Sequence, residues 1–155
     1  MFAMTQQPDP YWGLPDPALH AEFYADIPVK RLVAWVVDTV LVILIALLAL
    51  PFTAFTAVFF LPFFVALVGF AYRTVTLARG SATWGMRLVA IELRNARGER
   101  LDTMTAALHT LIFSASMAFV IPQVVSIILM LTGARAQGLG DLMLGTAAIN
   151  RPTKG

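Results

Sequence analysis

The chain has 155 residues, of which 59% are apolar and 13% charged, with a net charge of +2 and a mean hydropathy of +0.77. A globular domain carries about twice that share of charge, so water is a poor solvent for this sequence. The absence of cysteine excludes disulfides, thiolate metal sites and thiol catalysis, and two distant histidines, His20 and His109, make no zinc site.

The size permits one domain. Residues 1–26 hold four of the nine prolines together with Gln6, Gln7, Tyr11 and Trp12. That composition cannot bury a core and predicts a flexible cytoplasmic tail. The same stretch carries Asp9, Asp16, Glu22 and Asp26 and has no apolar run, so no cleavable signal peptide is expected. The first span is then expected to act as its own anchor.

Between Asp38 and Arg73 lie 34 residues without a charge. A span needs about 20 apolar residues, at 1.5 Å each, to cross about 30 Å of hydrocarbon. Two spans follow, at about 32–50 and 52–72, joined at the uncharged turn of Pro51 and Thr53 into a helical hairpin. Lys30 and Arg31 stand before it, and Arg73, Arg79, Arg87, Arg94, Arg97 and Arg100 follow. The positive-inside rule puts those flanks in the cytoplasm and the Pro51 turn outside.

Over 80–102 the pattern changes. Val89, Ile91 and Leu93 alternate with Ala90, Glu92 and Arg94, and Asn95-Ala96-Arg97-Gly98 supplies turn residues, which suggests a short hairpin. Met86, Val89, Ala90 and Leu93 also fit a helical period, so an amphipathic helix at the cytoplasmic face competes.

A second low-charge run, 103–132, is too long for one upright span and too short for two. Pro122 falls inside it. Ala106, Thr110, Ser114 and Ala118 recur every four residues, a spacing of small side chains that lets helices pack closely in lipid. The final segment, Gln137 to Thr146, is apolar around Asp141 and too short to cross. Arg135, Arg151 and Lys154 argue for a cytoplasmic C-terminus, which a re-entrant third region would allow and three complete crossings would not.

These elements predict an all-α membrane protein. Its transmembrane domain, 27–150, would combine the helical hairpin, a third proline-interrupted transmembrane or re-entrant region, and the amphipathic cytoplasmic segment. Tails at 1–26 and 151–155 would flank it.

Asp38 lies seven residues, about 10 Å along the helix, from Arg31 and on the same face. An aspartate at the centre of a span costs roughly 2.5 to 3.5 kcal/mol on an insertion scale, so it needs a partner. Arg31, Arg73 and His109 are the candidates. Functionally, Asp38 and Asp141 would be ion or proton carboxylates, with Arg31 as counter-charge and His109 as a possible relay. Structurally, the same charges would fix helix register. Gly80-Ser81-Ala82-Thr83-Trp84-Gly85 has the glycine spacing of a phosphate loop, but Met86-Arg87 replaces the residues that would contact phosphate and magnesium. Ser114 and Ser116 have no evident base. Neither an enzyme nor a cofactor is expected.

Three of these stretches resemble the RDD family of membrane proteins, named for one arginine and two aspartates. Lys30-Arg31-Leu32-Val33-Ala34-Trp35-Val36-Val37-Asp38 is similar to its first-helix signature. Thr83-Trp84-Gly85-Met86-Arg87-Leu88 resembles its Thr-x-Gly-Lys/Arg segment, and Gly140-Asp141-Leu142-Met143-Leu144-Gly145-Thr146 its ending. The resemblance covers about Phe23 to Ile149. His109 stands where many members have arginine, and the stretch from there to Asp141 is short.

The resemblance implies a transport-related role, with cation/proton exchange proposed for some members and assembly for others. Two functions are therefore expected to compete: a transport component using Asp38 and Asp141, and a non-transporting scaffold or accessory subunit in which Arg31, Asp38 and Asp141 are structural. The expected partners are anionic lipid headgroups and a second copy or another membrane protein, not nucleic acid. The expected location is the bacterial inner (plasma) membrane, multi-pass, with a cytoplasmic N-terminus.

Overall fold

The structure, a computed structural model, describes residues 13–151. Helices predominate. In chain order they are α1 (Ile27–Ala49), α2 (Leu61–Gly80), α3 (Trp84–Leu88), α4 (Thr103–Ala118), α5 (Val120–Thr132) and α6 (Leu139–Leu144), with strands β1 (Ile91–Arg94) after α3 and β2 (Ala147–Asn150) at the end.

Proline sets the start of both long helices. Pro28 and Pro62 occupy first-turn positions, where a missing N–H breaks no intrahelical bond. α1 and α2 are each long and apolar enough to cross a membrane. Their outward faces carry Leu32, Leu48, Phe63 and Leu67, the reverse of a water-soluble fold. The turn between them is longer than the uncharged sequence suggests. Two 3₁₀ segments, Leu50–Thr53 and Thr56–Phe60, flank Ala54 and Phe55 in the left-handed region, so α2 begins at Leu61 and runs through Arg73 to Gly80. An arginine does not stop a helix when its charge has somewhere to go.

α4 and α5 form the third apolar stretch, bent by 116° at Phe119. Pro122 lies in the first turn of α5, and its ring would clash with the carbonyl of Ala118 in a continuous helix. Phe119 accordingly adopts an extended conformation. α4 packs mainly on α2, with Ala106 and Thr110 of the small-residue stripe fully buried. Ser114 is half-buried and Ala118 exposed, so only the first half of the stripe is a packing surface. α5 comes back to the layer where α4 began, where the Ser126 hydroxyl accepts from the Leu139 N–H at 3.0 Å.

That layer contains the small sheet. β1 pairs antiparallel with β2 in the register Ile91↔Asn150 to Arg94↔Ala147. Two earlier expectations change here. The fold is mostly helical rather than purely so, and the 80–102 segment is a short helix followed by a strand, not a local hairpin. Glu92 as well as Ile91 and Leu93 is buried, so both faces of the strand are covered and it needs a partner that brings its own apolar side chains. Ala147, Ala148 and Ile149 supply them. The turn at Asn95 to Gly98 instead receives the N-terminal segment, through the Gly13 N–H to the Ala96 carbonyl at 2.9 Å.

Part of the expected tail 1–26 packs on this layer. Leu14 and Tyr24 are buried in the core of this layer, and the Tyr24 hydroxyl donates to the Pro15 carbonyl at 2.7 Å. Residues 1–12 and 152–155 lie outside the described residues. Asn150 completes the closure by accepting from Lys30 Nζ at 2.5 Å and donating to the carbonyls of Glu22 and Ala25.

α3 meets α1 at Gly85. A Cβ there would overlap the Ala34 carbonyl and stand 2.8 Å from Asp38 Oδ1. Gly85→Ala should force the two helices apart and destabilise the fold by about 1–3 kcal/mol, the usual cost of overpacking, seen as a lower unfolding midpoint in detergent.

Candidate functional site

Asp38, halfway along α1, is 9% exposed. It meets none of the three charged partners expected for it. Its Oδ1 accepts from the Tyr72 hydroxyl at 2.7 Å and the Gly85 N–H at 2.9 Å, and its Oδ2 from the Thr83 hydroxyl at 2.6 Å. Thr83 is the N-cap of α3 and accepts from the Met86 N–H at 3.2 Å, while the Tyr72 oxygen accepts from the Trp84 N–H at 3.2 Å. The carboxylate thus gathers the end of α2 and the start of α3 onto α1 through neutral donors. Carboxylates accept strong hydrogen bonds from hydroxyls and amides without needing a counter-ion. Thr39 faces elsewhere, donating to the Trp35 carbonyl.

Asp141 has no exposure at all. Its Oδ2 accepts from Arg31 Nη1 at 2.5 Å and the Gly138 N–H at 3.0 Å, and its Oδ1 from His109 Nε2 and the Thr146 hydroxyl, each at 2.7 Å. Gly145, at φ +71°, ends α6 in the left-handed region and turns Thr146 back onto the carboxylate. Burial alone pushes the Asp141 carboxyl up. Arg31, then His109 and Thr146, outweigh it and hold the group well below the usual carboxylate range. His109 is buried, and its Nδ1 has no hydrogen-bond partner.

Of the five charged candidates, then, Arg31, His109 and Asp141 meet, and Asp38 stands in a separate shell. Arg73 joins neither directly. It is 8% exposed, its guanidinium lies 4.0 Å over the Phe113 ring, and its Nε has no hydrogen-bond partner. Two apolar grooves of about 510 and 430 Å³ share Trp35, Asp38, Arg73, Phe113 and Met117 in their linings. Tyr72, Thr83, Gly85 and Thr146 are site residues that a search for charges passes over. The one available signal was positional, since Thr83, Gly85 and Thr146 fall inside the family-like motifs. Glu92 is a further buried carboxylate, paired on its strand with Arg94 and approached by Arg151 at 3.7 Å. No group of three or more potential metal ligands occurs among the described residues.

Removing one partner of a buried ion pair strands the other. Arg31→Gln and Asp141→Asn should each lower stability by about 3–5 kcal/mol, and the double variant by clearly less than their sum, measured by unfolding in detergent. The depressed Asp141 group also fixes a pH sign. Its contribution is present in full above the ordinary aspartate value of about 3.9 and is lost as the pH falls from there toward the native value. The unfolding midpoint should therefore decline on acidification below that point, and decline less steeply in Asp141→Asn.

Comparison with known proteins adds one match. No curated protein and no solved structure matches the chain. The model of the RDD family matches residues 27–145, a stretch that starts with α1 and ends at the Gly145 cap and so contains Arg31, Asp38, the Thr83 to Leu88 segment and Asp141. With most of its length matched, and with membrane-length apolar helices joined through one arginine and two aspartates, the chain belongs to the RDD family.

Proposed function

We propose that the chain is a non-transporting membrane scaffold or accessory subunit in which Arg31, Asp38 and Asp141 are structural. The observation that carries this reading is that donors fill the acceptor sites of Asp141 and most of those of Asp38. An ionised carboxylate offers about four acceptor sites. Asp141 spends four, on Arg31, His109 and the two ends of its own helix, and Asp38 spends three, on α2 and the start of α3. A transported cation would need those lone pairs, and a proton on Asp141 would leave the Arg31 charge without its partner.

In this reading α4 and α5 form a re-entrant hairpin, and the arginine-rich layer with both chain ends faces the cytoplasm of a bacterial inner membrane. Anionic headgroups gather at Arg79, Arg87 and Arg97. The apolar faces of α1 and α5 outside the grooves then receive a second copy or another membrane protein.

Cation/proton exchange is the second reading, and one observation favours it. The Nδ1 of buried His109 has no partner, which leaves a proton acceptor one ring away from Asp141. Sealed proteoliposomes separate the two. The scaffold reading expects no gradient-dependent movement of Na+, K+ or H+, and expects Asp38→Asn to lower the unfolding midpoint by an amount equivalent to about 1–3 kcal/mol. Flux that Asp38→Asn or His109→Gln abolishes in a folded protein would overturn it.

A further inference from the structure

The larger groove lies between α1 and α5 and has Arg73 of α2 in its lining. Its walls are apolar and open to the outside. Leu32 and Trp35 stand on one side, and Ile127 and Leu131 on the other. Arg31 also borders the groove, but its Nη1 is held by Asp141. The acceptor sites of Asp141 are filled and those of Asp38 largely so, leaving Arg73 with no ion pair among the described residues. A guanidinium withdrawn from water with an orphaned N–H is costly, and the cation–π contact with Phe113 satisfies the face of the group but none of its donors.

We propose that this groove binds a single-chain anionic amphiphile, a long-chain carboxylate whose head pairs with Arg73 and whose tail lies between α1 and α5. Charge fixes the head, because the planar guanidinium fork matches a carboxylate and Arg73, unlike Arg31, is a lining cation with no ion pair among the described residues. Depth selects a compact head over a phospholipid. With α2, 20 residues or about 30 Å, upright and matched to the hydrocarbon, its end at Gly80 would lie near the edge and Arg73, seven residues earlier, about 10 Å inside. A glycerophosphate pulled that deep would carry ester and glycerol oxygens into a groove whose uncharged polar groups are Gln123 and the Trp35 indole N–H. One chain also suits the volume of about 510 Å³, within the usual range for ligand pockets.

The purified full chain in a neutral detergent tests the site with cis-parinaric acid, a fluorescent long-chain carboxylate. Saturable binding is expected, displaced by oleic acid but not by methyl oleate, and weakened about tenfold or more in Arg73→Gln. Equal displacement by methyl oleate, or unchanged binding in folded Arg73→Gln, would overturn the proposal. So would displacement by phosphatidylglycerol without displacement by oleic acid, which would identify a bilayer phosphate as the ligand. Should Arg73→Gln fail to fold, Ile127→Trp leaves the arginine in place and fills the groove. Its loss of binding supports the site, and binding equal to the unaltered protein sinks it.

Discussion

The buried carboxylate of Asp141 is the contact on which the arrangement of the chain depends. It lies on a six-residue helix that has too little surface to hold itself in place, yet it joins α1 through Arg31, α4 through His109 and its own C-terminal turn through Thr146. In lipid, helices gain little from burying apolar surface against one another, because hydrocarbon is as good a solvent for leucine as another leucine. Polar contacts carry more of the specificity. The ion pair holds α6 where β2 can reach β1, and the sheet in turn closes the layer over Ile27, Leu77 and Met86.

Asp38 solves a different problem with the same chemistry. α2 ends at Gly80, and the chain must turn back along α1 before the sheet begins. Ser81 takes a left-handed conformation there, its carbonyl accepts from the Leu93 N–H and its hydroxyl from the Leu101 N–H, so the turn is tied to the sheet on one side. On the other side Asp38 fixes it to α1 through Thr83 and Gly85. The absence of a side chain at Gly85 lets the α3 backbone come within hydrogen-bonding distance of a carboxylate on a neighbouring helix.

Much of this was legible in the sequence, and what was not shares a physical cause. Uncharged runs fix the helices because a charge in hydrocarbon is expensive wherever it sits. An aspartate inside such a run announces that it has a partner. The identity of that partner was not legible for Asp38, because a search for balancing charge points to Arg31, Arg73 or His109, whereas hydroxyl and backbone donors leave no mark in composition. The β1–β2 pairing was illegible for a related reason. Ile91 to Arg94 reads as half of a local hairpin since a turn follows it, and only the backbone pairing shows that its partner comes from Ala147–Asn150.

The balance of donors and acceptors also bears on where function resides. Arg31 and Arg73 against Asp38 and Asp141 sum to zero formal charge, so the group as a whole is electrically tolerable in a membrane. Hydrogen bonds are not shared out so evenly. The aspartates take their donors from the backbone, two threonines, a tyrosine and a histidine, and only one of the two arginines finds a carboxylate. A carboxylate surrounded by donors is chemically quiet, since any exchange of ion or proton must first break contacts that hold helices together. An arginine with an orphaned N–H beside an open apolar groove has no such restraint. Arg31, Asp38 and Asp141 are thus bound into the fold by their hydrogen bonds, whereas Arg73 lies beside the groove with no ion pair among the described residues.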